Sequence, residues 1–431
     1  MIDGTVPPLA NDLVPRQRPL GLALAPLGLV FFAVGIATAV VGPFLSLFLS
    51  TAVHADPLRV TVFLTVAPLA GVVIGTLIGR LSDRWPIRRQ VLIGAAVAGM
   101  VGMGLTAVVR EYWILLGLAV TATAVAGSLF PQTFAYARQV LARHDASRAA
   151  MGISSLRTVF SLAWVAGPPL AAVLLASGGF RYLYLMAAIM YGVAALLAVG
   201  WLAEPPTLTA PTDDANTNST NNTNSTDRLT VSGHRDAGGD GAAPAAPRRT
   251  LLLTAAAFTM LQCPLTLGVQ ALPLFIDANL GGDAANAGIM FGLCAALEIP
   301  LMLGLGALTT RLPLRRLILI GASCGVGYNV LVTASSTVWM LAVGQLLNAM
   351  FIAAVSGLGI SYMQDMLPNR PGQATTLFTN SFPIGAMLAG PLFGLAQHVD
   401  FRLAYGMGTA LCAAGLVVLL LTRPPGRRVA G

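Results

Sequence analysis

The chain alternates between long runs of apolar residues and short polar connections. Each run is about 20 residues long, the length that an α-helix needs to cross the hydrocarbon core of a bilayer. The apolar runs cover approximately residues 22–49, 60–80, 91–109, 113–137, 152–176, 182–202, 251–276, 286–308, 317–334, 338–362, 373–397 and 403–422. They lack the alternation of barrel strands, and lipid cannot satisfy unpaired backbone groups. The pattern therefore predicts an all-α integral membrane protein with twelve transmembrane helices.

Two short sequences occur twice at nearly the same spacing. Residues 79–89 read GRLSDRWPIRR and residues 306–316 read GALTTRLPLRR, so six of eleven positions are identical at an offset of 227. A second pair, AGPP at 166–169 and AGPL at 389–392, has an offset of 223. Repeats at one offset indicate a duplicated half. The chain is therefore predicted to form two related six-helix bundles.

The repeat and the composition together divide the chain. We expect a cytoplasmic N-terminal tail at 1–21, a first bundle at 22–202, a second bundle at 251–422 and a C-terminal tail at 423–431. Residues 203–250 contain an Asn/Thr/Ser tract and Gly- and Pro-rich sequence, and such a segment cannot bury a core. It is predicted to be a disordered cytoplasmic linker. Parallel halves of this kind are typical of transporters that work by alternating access.

Composition and charge agree with a membrane location. Hydrophobic residues make up 56% of the chain and charged residues 10%, whereas soluble domains carry roughly 25% charged residues. All basic residues are Arg, and with a cytoplasmic N-terminus 20 of the 25 fall on cytoplasmic segments. This is the positive-inside bias of a multi-pass protein rather than a nucleic-acid patch. Both termini are therefore predicted to be cytoplasmic, with the lipid bilayer as partner and no nucleic acid.

The residues that carry enzyme chemistry are scattered. The four cysteines lie in different apolar runs without the spacing of a zinc site or a disulfide framework. The four histidines lie in loops or at the ends of runs, far apart in sequence. We therefore expect neither an enzyme nor a bound metal or cofactor. A sensor or scaffold would usually carry a folded soluble domain, which this chain does not offer.

The sequence of the first loop resembles a known signature. Gly-x-Leu-Ser-Asp-Arg-x-x-x-Arg-Arg at 79–89 is similar to the cytoplasmic loop of the major facilitator superfamily, although Pro86 and Ile87 stand where that family usually has Gly and Arg. In the second copy, Thr310 replaces the Asp. The resemblance implies an inner gate. The residues assigned to that gate are Asp83, Arg84, Arg88 and Arg311. Asp365, at the cytoplasmic end of the tenth run with Arg370 nearby, is interpreted as a further gate charge, with a solvated loop as the alternative. The alternative is that the arginines, Arg88 and Arg89 above all, only anchor orientation.

Further motifs narrow the resemblance to one family. They are PFLSLFL at 43–49, SLAWVAGPP at 161–169, LEIP at 297–300, QLLNA at 345–349, QDMLPNR at 364–370 and ATTLFTNS at 374–381. Together they resemble the bacterial sugar efflux transporter family. The resemblance implies export of sugars, including galactoside-like and glucoside-like ones, in exchange for protons by a protein of the bacterial inner membrane, which we expect to act as a monomer. A proton-coupled multidrug exporter on the same fold is the alternative, and it predicts a more apolar and aromatic cavity.

Two charged residues lie inside apolar runs. Glu298 is near the middle of its run, where a charged side chain costs about 2.5–3.5 kcal/mol. We interpret it as a sugar ligand and proton-coupling group; a structural pair with a basic residue and a water-exposed position are the alternatives. Arg157 shares a helix face with Ser161 and Trp164. It would hold sugar hydroxyls or offset Glu298, or else extend to the cytoplasmic interface.

Polar side chains at helical spacing complete the candidate site. Sugars require hydrogen-bonding groups for their hydroxyls and an aromatic face for their C–H groups. The candidates for hydroxyls are Ser128, Gln132, Tyr136, Gln262, Thr266, Gln270, Gln345, Asn348, Thr376 and Asn380. Trp164 and Phe378 are the candidates for stacking. Bonds between helices and core packing are the competing interpretations.

Small residues and prolines predict close packing and bends. Gly71, Gly75 and Gly79 form a stripe that would let a neighbouring helix approach closely. Gly167-Pro168-Pro169 resembles the antiporter signature of exporters in the superfamily, and its prolines would bend the fifth run. This motif favours export over import.

Overall fold

The computed structural model describes residues 20–85, 87–144, 146–202, 246–367 and 370–422. Throughout these residues the regular structure is helical, and no strand is present in the described ranges. Within the described ranges, eleven helical stretches are long and apolar enough to span a membrane. The predicted all-α membrane class is confirmed. We call residues 20–202 the N-terminal segment and residues 246–422 the C-terminal segment.

The first spanning stretch becomes irregular near its end. Helix α1 (Leu20–Val41) continues into a 3₁₀ turn (Gly42–Phe44), a single turn α2 (Leu45–Leu47) and a π-helical turn (Phe48–Ala52). Pro43 has no backbone N–H, so a regular α-helix cannot pass through it with all of its hydrogen bonds. The irregular turns leave backbone groups near Gly42 and Ser46 available to another helix.

The other helices of the N-terminal segment are α3 (Pro57–Arg84), α4 (Arg88–Val108), α5 (Tyr112–Leu118), α6 (Ala124–Gly127), α7 (Leu129–His144) and α8 (Ala146–Trp201). A π-helical turn joins α5 to α6. Helix α3 begins where the Asp56 carboxylate accepts a hydrogen bond from the Arg59 N–H at 2.7 Å, which satisfies a free donor of its first turn.

Helix α8 is interrupted at Gly179. The φ angle of this residue is 63°, which lies outside the helical range and which glycine adopts without a steric penalty. The predicted runs 152–176 and 182–202 lie on either side of it, and we call these parts the first and second arms of α8. The break explains why twelve apolar runs correspond to eleven continuous stretches.

The C-terminal segment contains α9 (Arg248–Leu280), α10 (Ala284–Leu308), α11 (Leu314–Ala334), α12 (Val338–Met366), α13 (Pro371–Thr379), α14 (Ser381–Val399) and α15 (Phe401–Leu421). The predicted linker lies outside the described residues except for its last five. There the Ala246 N–H donates to the Met366 carbonyl at 2.9 Å. Helix α9 starts three residues before the predicted span. The two predicted tails lie outside the described residues, apart from Leu20 and Gly21.

Arginines of the repeated loop motif tie helices together within each segment. The Arg89 guanidinium donates to the carbonyl of Val199 at 2.7 Å, near the end of α8. In the second copy, Arg315 donates to the carbonyls of Leu419 and Leu420 at 3.1 and 2.8 Å, at the end of α15. The last carbonyls of a helix have no partner within it and carry partial negative charge. The motif therefore holds the last helix of each segment.

We expect Arg315→Gln to lower the apparent melting temperature of the purified protein. The shorter amide cannot reach the carbonyls at the end of α15, and hydrogen bonds to charged groups contribute about 1.5–3 kcal/mol each. The control is Arg316→Gln, because Arg316 is an exposed neighbour of the same charge. Equal melting temperatures for the two variants would contradict the role given to Arg315.

A second pair of arginines caps the helices at their other ends. Arg110 donates to the carbonyl of Thr106 at 2.9 Å and lies 5.3 Å from the centre of the Phe48 ring. Arg402 donates to the carbonyl of Thr333 at 2.7 Å and lies 5.6 Å from the centre of the Phe275 ring. Phe48 and Phe275 are separated by the repeat offset of 227. Each segment is therefore braced at both ends by contacts within itself.

Candidate functional site

The two segments are in close contact at one end of the molecule. In α10, a Cβ on Gly288 would lie 2.6 Å from the Pro168 carbonyl oxygen, and a Cβ on Gly292 would lie 2.7 Å from the Pro169 ring. Both prolines belong to the first arm of α8. In α14, a Cβ on Gly394 would collide with Thr61 of α3. Only glycine allows the backbones to approach this far. We call this region the closed end.

Hydrogen bonds and core packing also cross between the segments there. The Ser46 hydroxyl donates to the backbone carbonyl of Gln270 at 2.5 Å, and the Gln397 amide donates to the Ser50 hydroxyl at 3.1 Å. Phe44 and Phe291 meet edge to face with their ring centres 6.4 Å apart. One hydrophobic cluster includes residues of both segments, from Leu27 to Tyr405. The closed end is therefore sealed by steric, polar and apolar contacts.

The opposite end, which carries the repeated loops at 84–88 and 308–314, is different. We call it the loop end. A Cβ added to Gly71, Gly75, Gly304 or Gly306 would meet no atom within 4 Å. Of the stripe predicted to pack against a neighbouring helix, Gly71 and Gly75 meet no helix in this conformation, whereas a Cβ on Gly79 would lie 4.0 Å from Gln132 of α7. The glycines of α3 and α10 without such a contact face open space because the segments diverge toward the loop end.

A cavity of about 290 Å³ lies between the segments on the inner side of the closed end. Its walls come from α3, α6, α9 and α14, with Leu45 of α2 and two residues of the π-helical turn before α6. Thr123, Thr266 and Gln270 supply its polar side chains, and the remaining lining is apolar. The structure thus brings two predicted ligands, Thr266 and Gln270, to one cavity.

A second polar group lies within the C-terminal segment. The Asn348 side-chain amide donates to the Gln345 oxygen at 3.2 Å and to the Cys294 sulfur at 3.4 Å. Glu298 follows Cys294 by one turn of α10 and is half-buried. The structure thus places Gln345 and Asn348 of α12 beside Cys294 of α10, one helical turn from Glu298. This cluster combines one ionisable group with two amides in the interior of the bundle.

Other predicted hydroxyl ligands make bonds between helices or within one helix. Gln262 is buried and donates to the Ser356 hydroxyl of α12 at 3.4 Å. Gln132 is buried and accepts a hydrogen bond from Ser82 at 3.0 Å, close to the loop end. Ser128 donates to the carbonyl of Val125 at 2.7 Å, and Tyr136 is buried in the N-terminal segment.

The predicted stacking residues differ in exposure. Phe378 is 1% exposed and packs against Gly359 and Phe258, so neither face of its ring is open to a ligand in this conformation. In this conformation the contacts of Phe378 are those of the alternative interpretation, core packing. Trp164 is half-buried on the first arm of α8. Asn380 is exposed where α13 ends and α14 begins, and Thr376 one turn earlier is also exposed.

The predicted gate residues lie at the loop end. Arg84, Arg311 and Asp365 are exposed there. Arg88 is 7% exposed, which places it inside the N-terminal segment rather than at the surface between the segments. The side chains of Asp83 and Arg157 lie outside the described residues.

Sequence reasoning missed most residues of the closed end. Ser46, Thr61, Gly288, Gly292 and Gly394 were not among the candidates. The available signal was the spacing of small residues at i and i+4, which occurs at 288 and 292 and at 390 and 394. The same spacing at 71 and 75 marks an unpacked face, so spacing alone does not distinguish the two ends.

Comparison with known proteins identifies the family. The Major Facilitator Superfamily model matches residues 27–331 and 266–430. Sugar efflux transporter A of Dickeya chrysanthemi is 34% identical over 89% of this chain and 93% of its own length. Sugar efflux transporter A of Escherichia coli (strain K12) is 33% identical over 91% of this chain and 94% of its own length. The chain belongs to the bacterial sugar efflux transporter family of the major facilitator superfamily. The prediction of a multi-pass membrane transporter rather than an enzyme is confirmed by these relatives.

The fold comparison agrees. A crystal structure of the peptide transporter POT in complex with sulfate has a TM-score of 0.72 with 12% identity, covering 95% of this chain and 96% of the other. A crystal structure of the nucleoside transporter NupG has a TM-score of 0.65 with 11% identity, covering 93% of this chain and 98% of the other. At these identities the likeness concerns the fold alone.

Proposed function

We propose that the protein exports small sugars or glycosides across the bacterial inner membrane, driven by proton entry. The observation that carries the proposal is the similarity at about one third identity, over most of both chains, to relatives named sugar efflux transporters. The polar cavity residues Thr266 and Gln270 are consistent with binding of hydroxyl groups. Both termini lie in the cytoplasm in this proposal, and the functional unit is a monomer.

The mechanism in this proposal is alternating access. Twelve spanning helices form two six-helix halves, with the two arms of α8 counted separately. In this proposal the loop end faces the cytoplasm, so the contacts at the closed end and the open glycine faces at the loop end correspond to a state that is open to the cytoplasm. In the other state, Gly71, Gly75, Gly304 and Gly306 would face the opposite segment, because small residues let helices approach closely. Asp83, Arg84, Arg311 and Asp365 then close the loop end.

Proton coupling is assigned to Glu298. Among the described residues it is the acidic one that lies farthest inside a spanning helix, with about ten residues of α10 on its shorter side. A charged carboxylate is costly at this depth, so protonation and deprotonation change the stability of the states between which the transporter moves. Asn348 and Gln345 are the neighbouring groups that a substrate hydroxyl would contact.

A multidrug exporter is the second candidate. It is favoured by the lining of the cavity, where Leu45, Phe63, Leu64 and Pro68 present apolar surface. An apolar cavity accommodates amphipathic cations and does not require hydroxyl groups on the substrate.

Flux measurements separate the two candidates. We expect purified protein in liposomes to move radiolabelled lactose or glucose faster when an imposed pH gradient drives protons in the opposite direction. The physical reason is that coupled transport ties each sugar movement to a proton movement in the opposite direction. The proton gradient therefore makes sugar flux in one direction faster than in the other. Protein-free liposomes and a proton ionophore are the controls.

Each outcome decides between the candidates. Sugar movement that disappears with the ionophore supports proton-coupled sugar export. Movement of a cationic dye in the absence of any sugar movement would replace it with the multidrug function. Sugar movement that is indifferent to the gradient would leave a sugar carrier without proton coupling.

A further inference from the structure

One side chain connects the cavity directly to the closed end. Gln270 on α9 lines the cavity with its neighbour Thr266. Its side-chain oxygen accepts a hydrogen bond from the Ser46 N–H at 3.3 Å, and its side-chain nitrogen donates to the Gly42 carbonyl at 3.2 Å. Gln270 belongs to the C-terminal segment, and both of these partners belong to the N-terminal segment.

The two backbone groups are the pair that a regular helix would join. In an α-helix the N–H of residue 46 bonds to the carbonyl of residue 42. Here the chain instead follows the 3₁₀ turn Gly42–Phe44 and the single turn α2. The amide of Gln270 has a donor and an acceptor in the right order to bond both groups. The Gln270 amide, from the opposite segment, therefore supplies the hydrogen bonds that these two backbone groups of the first span do not make to each other.

The contact also lies at equivalent positions of the repeat. Gln270 follows Pro43 by 227 residues, the offset of the duplicated loop motif. Pro43, which interrupts the first span, and Gln270, which bridges the interruption, therefore occupy equivalent positions in the two halves of the repeat. At this depth the first span and α9 face each other directly between the segments.

We propose that Gln270 couples occupancy of the cavity to opening of the closed end. A substrate hydroxyl in the cavity competes for the Gln270 amide, because a hydroxyl both donates and accepts hydrogen bonds. When the amide turns to the substrate, the Gly42 carbonyl and the Ser46 N–H lose their cross-segment partner, and the closed end keeps only the bond from the Ser46 hydroxyl to the Gln270 carbonyl at this point and is destabilised. The inference rests on the proposed function, since it takes a polyhydroxyl substrate as the competing ligand.

The chain provides a matched control. Gln397 also crosses between the segments at the closed end through its bond to Ser50, but it does not line the cavity. Its loss weakens the same seal without removing a group that substrate can reach. A purely structural role for Gln270 predicts that the two glutamines behave alike, whereas coupling predicts that only Gln270 determines the response to sugar.

The experiment measures opening directly in the full chain. Spin labels are placed at Leu58 and Val399, which are exposed residues of α3 and α14 on either side of the closed end. Distance distributions are recorded with and without lactose in wild type, Gln270→Leu and Gln397→Leu. Gln270→Asn serves as a conservative variant, because its shorter amide cannot bond Gly42 and Ser46 together. Binding of radiolabelled lactose to each unlabelled protein is measured in parallel.

Wild type should show short distances without sugar and a larger fraction of long distances with it. In Gln270→Leu the long-distance fraction should already be raised without sugar by about tenfold, the ratio that corresponds to about 1.4 kcal/mol. Addition of lactose should then change the long-distance fraction of Gln270→Leu little. In Gln397→Leu the long-distance fraction should also be raised without sugar, but it should still increase when lactose is added. The long-distance fraction of Gln270→Asn without sugar should lie between those of wild type and Gln270→Leu.

The outcomes separate this inference from the proposed function. A full lactose response in Gln270→Leu would overturn the coupling, even if sugar export is correct. Short distances in sugar-free Gln270→Leu, equal to those of wild type, would overturn the seal itself. Wild type that binds no sugar would instead contradict the proposed function and remove the competing ligand, so the coupling would fall with it.

Discussion

Glu298→Gln should abolish proton-driven sugar accumulation while leaving the protein folded. The amide has nearly the same shape as the carboxyl group and, like its protonated form, offers an acceptor oxygen and a donor, but it cannot gain or lose a proton. We expect gradient-driven flux to fall at least about tenfold, which corresponds to about 1.4 kcal/mol of coupling free energy. The measurement is uptake of radiolabelled lactose into proteoliposomes with and without a pH gradient.

Exchange of sugar for sugar provides the internal control. If Glu298 only carries the proton, labelled sugar should still exchange for unlabelled sugar in Glu298→Gln without a gradient. Asp277→Asn is the matched control, because Asp277 is an exposed acidic residue close to the end of α9. Loss of exchange together with loss of gradient-driven flux would indicate that Glu298 binds sugar instead. Unchanged gradient-driven flux would remove it from the coupling mechanism.

Gly394→Leu should prevent the closed end from forming. A Cβ at this position already collides with Thr61 of α3, and a leucine adds three further carbon atoms to the same contact. Overpacking of a well-packed site costs typically 1–3 kcal/mol, and the Thr61 side chain that would have to move donates a hydrogen bond to the Pro57 carbonyl at 2.8 Å. The segments are therefore expected to separate at this end, and sugar export is expected to fall at least about tenfold.

Reactivity of an introduced cysteine measures this separation. Thr65→Cys on α3 should be protected from a water-soluble maleimide in the otherwise unchanged chain, because Gly390 packs against Thr65. It should react rapidly when combined with Gly394→Leu. Gly406→Leu is the control for added size, since a Cβ at Gly406 would meet no atom within 4 Å. Protection that persists with Gly394→Leu would mean that the contact is not part of the seal.

The spanning helices could be predicted because their signal is local. An apolar run of sufficient length specifies a helix in lipid whatever its neighbours are, and the described runs agree with the structure to within a few residues. The break within α8 could not be assigned to one residue, since Gly178 and Gly179 are adjacent and only Gly179 adopts a positive φ. The choice depends on how the two arms pack against the other helices.

The candidate site could be predicted only in part. Gln270 was recognised as a polar residue at helical spacing, but its bond to a broken turn of the first span requires knowledge of which helices meet. The aromatic side chain of Phe378 makes it a stacking candidate in the sequence, but its burial depends on Gly359, which admits the ring into the core. The glycine pairs of α3 and α14 have the same spacing. In this conformation of the protein the α14 pair is packed and the α3 pair is open. The sequence does not show which conformation is populated.

The length of α3 has a consequence for leakage. Its 28 residues form one helix, which at 1.5 Å per residue is about 42 Å long. Thr61 lies near one end of this rod, and Gly75 lies about 21 Å farther along it. If α3 tilts against α14 about a point between them, a gain of contact at one place requires a loss at the other. In the proposed alternating-access cycle, such a lever would keep one barrier in place while the other opens, so no continuous aqueous pore would cross the membrane and the ion gradient would be preserved.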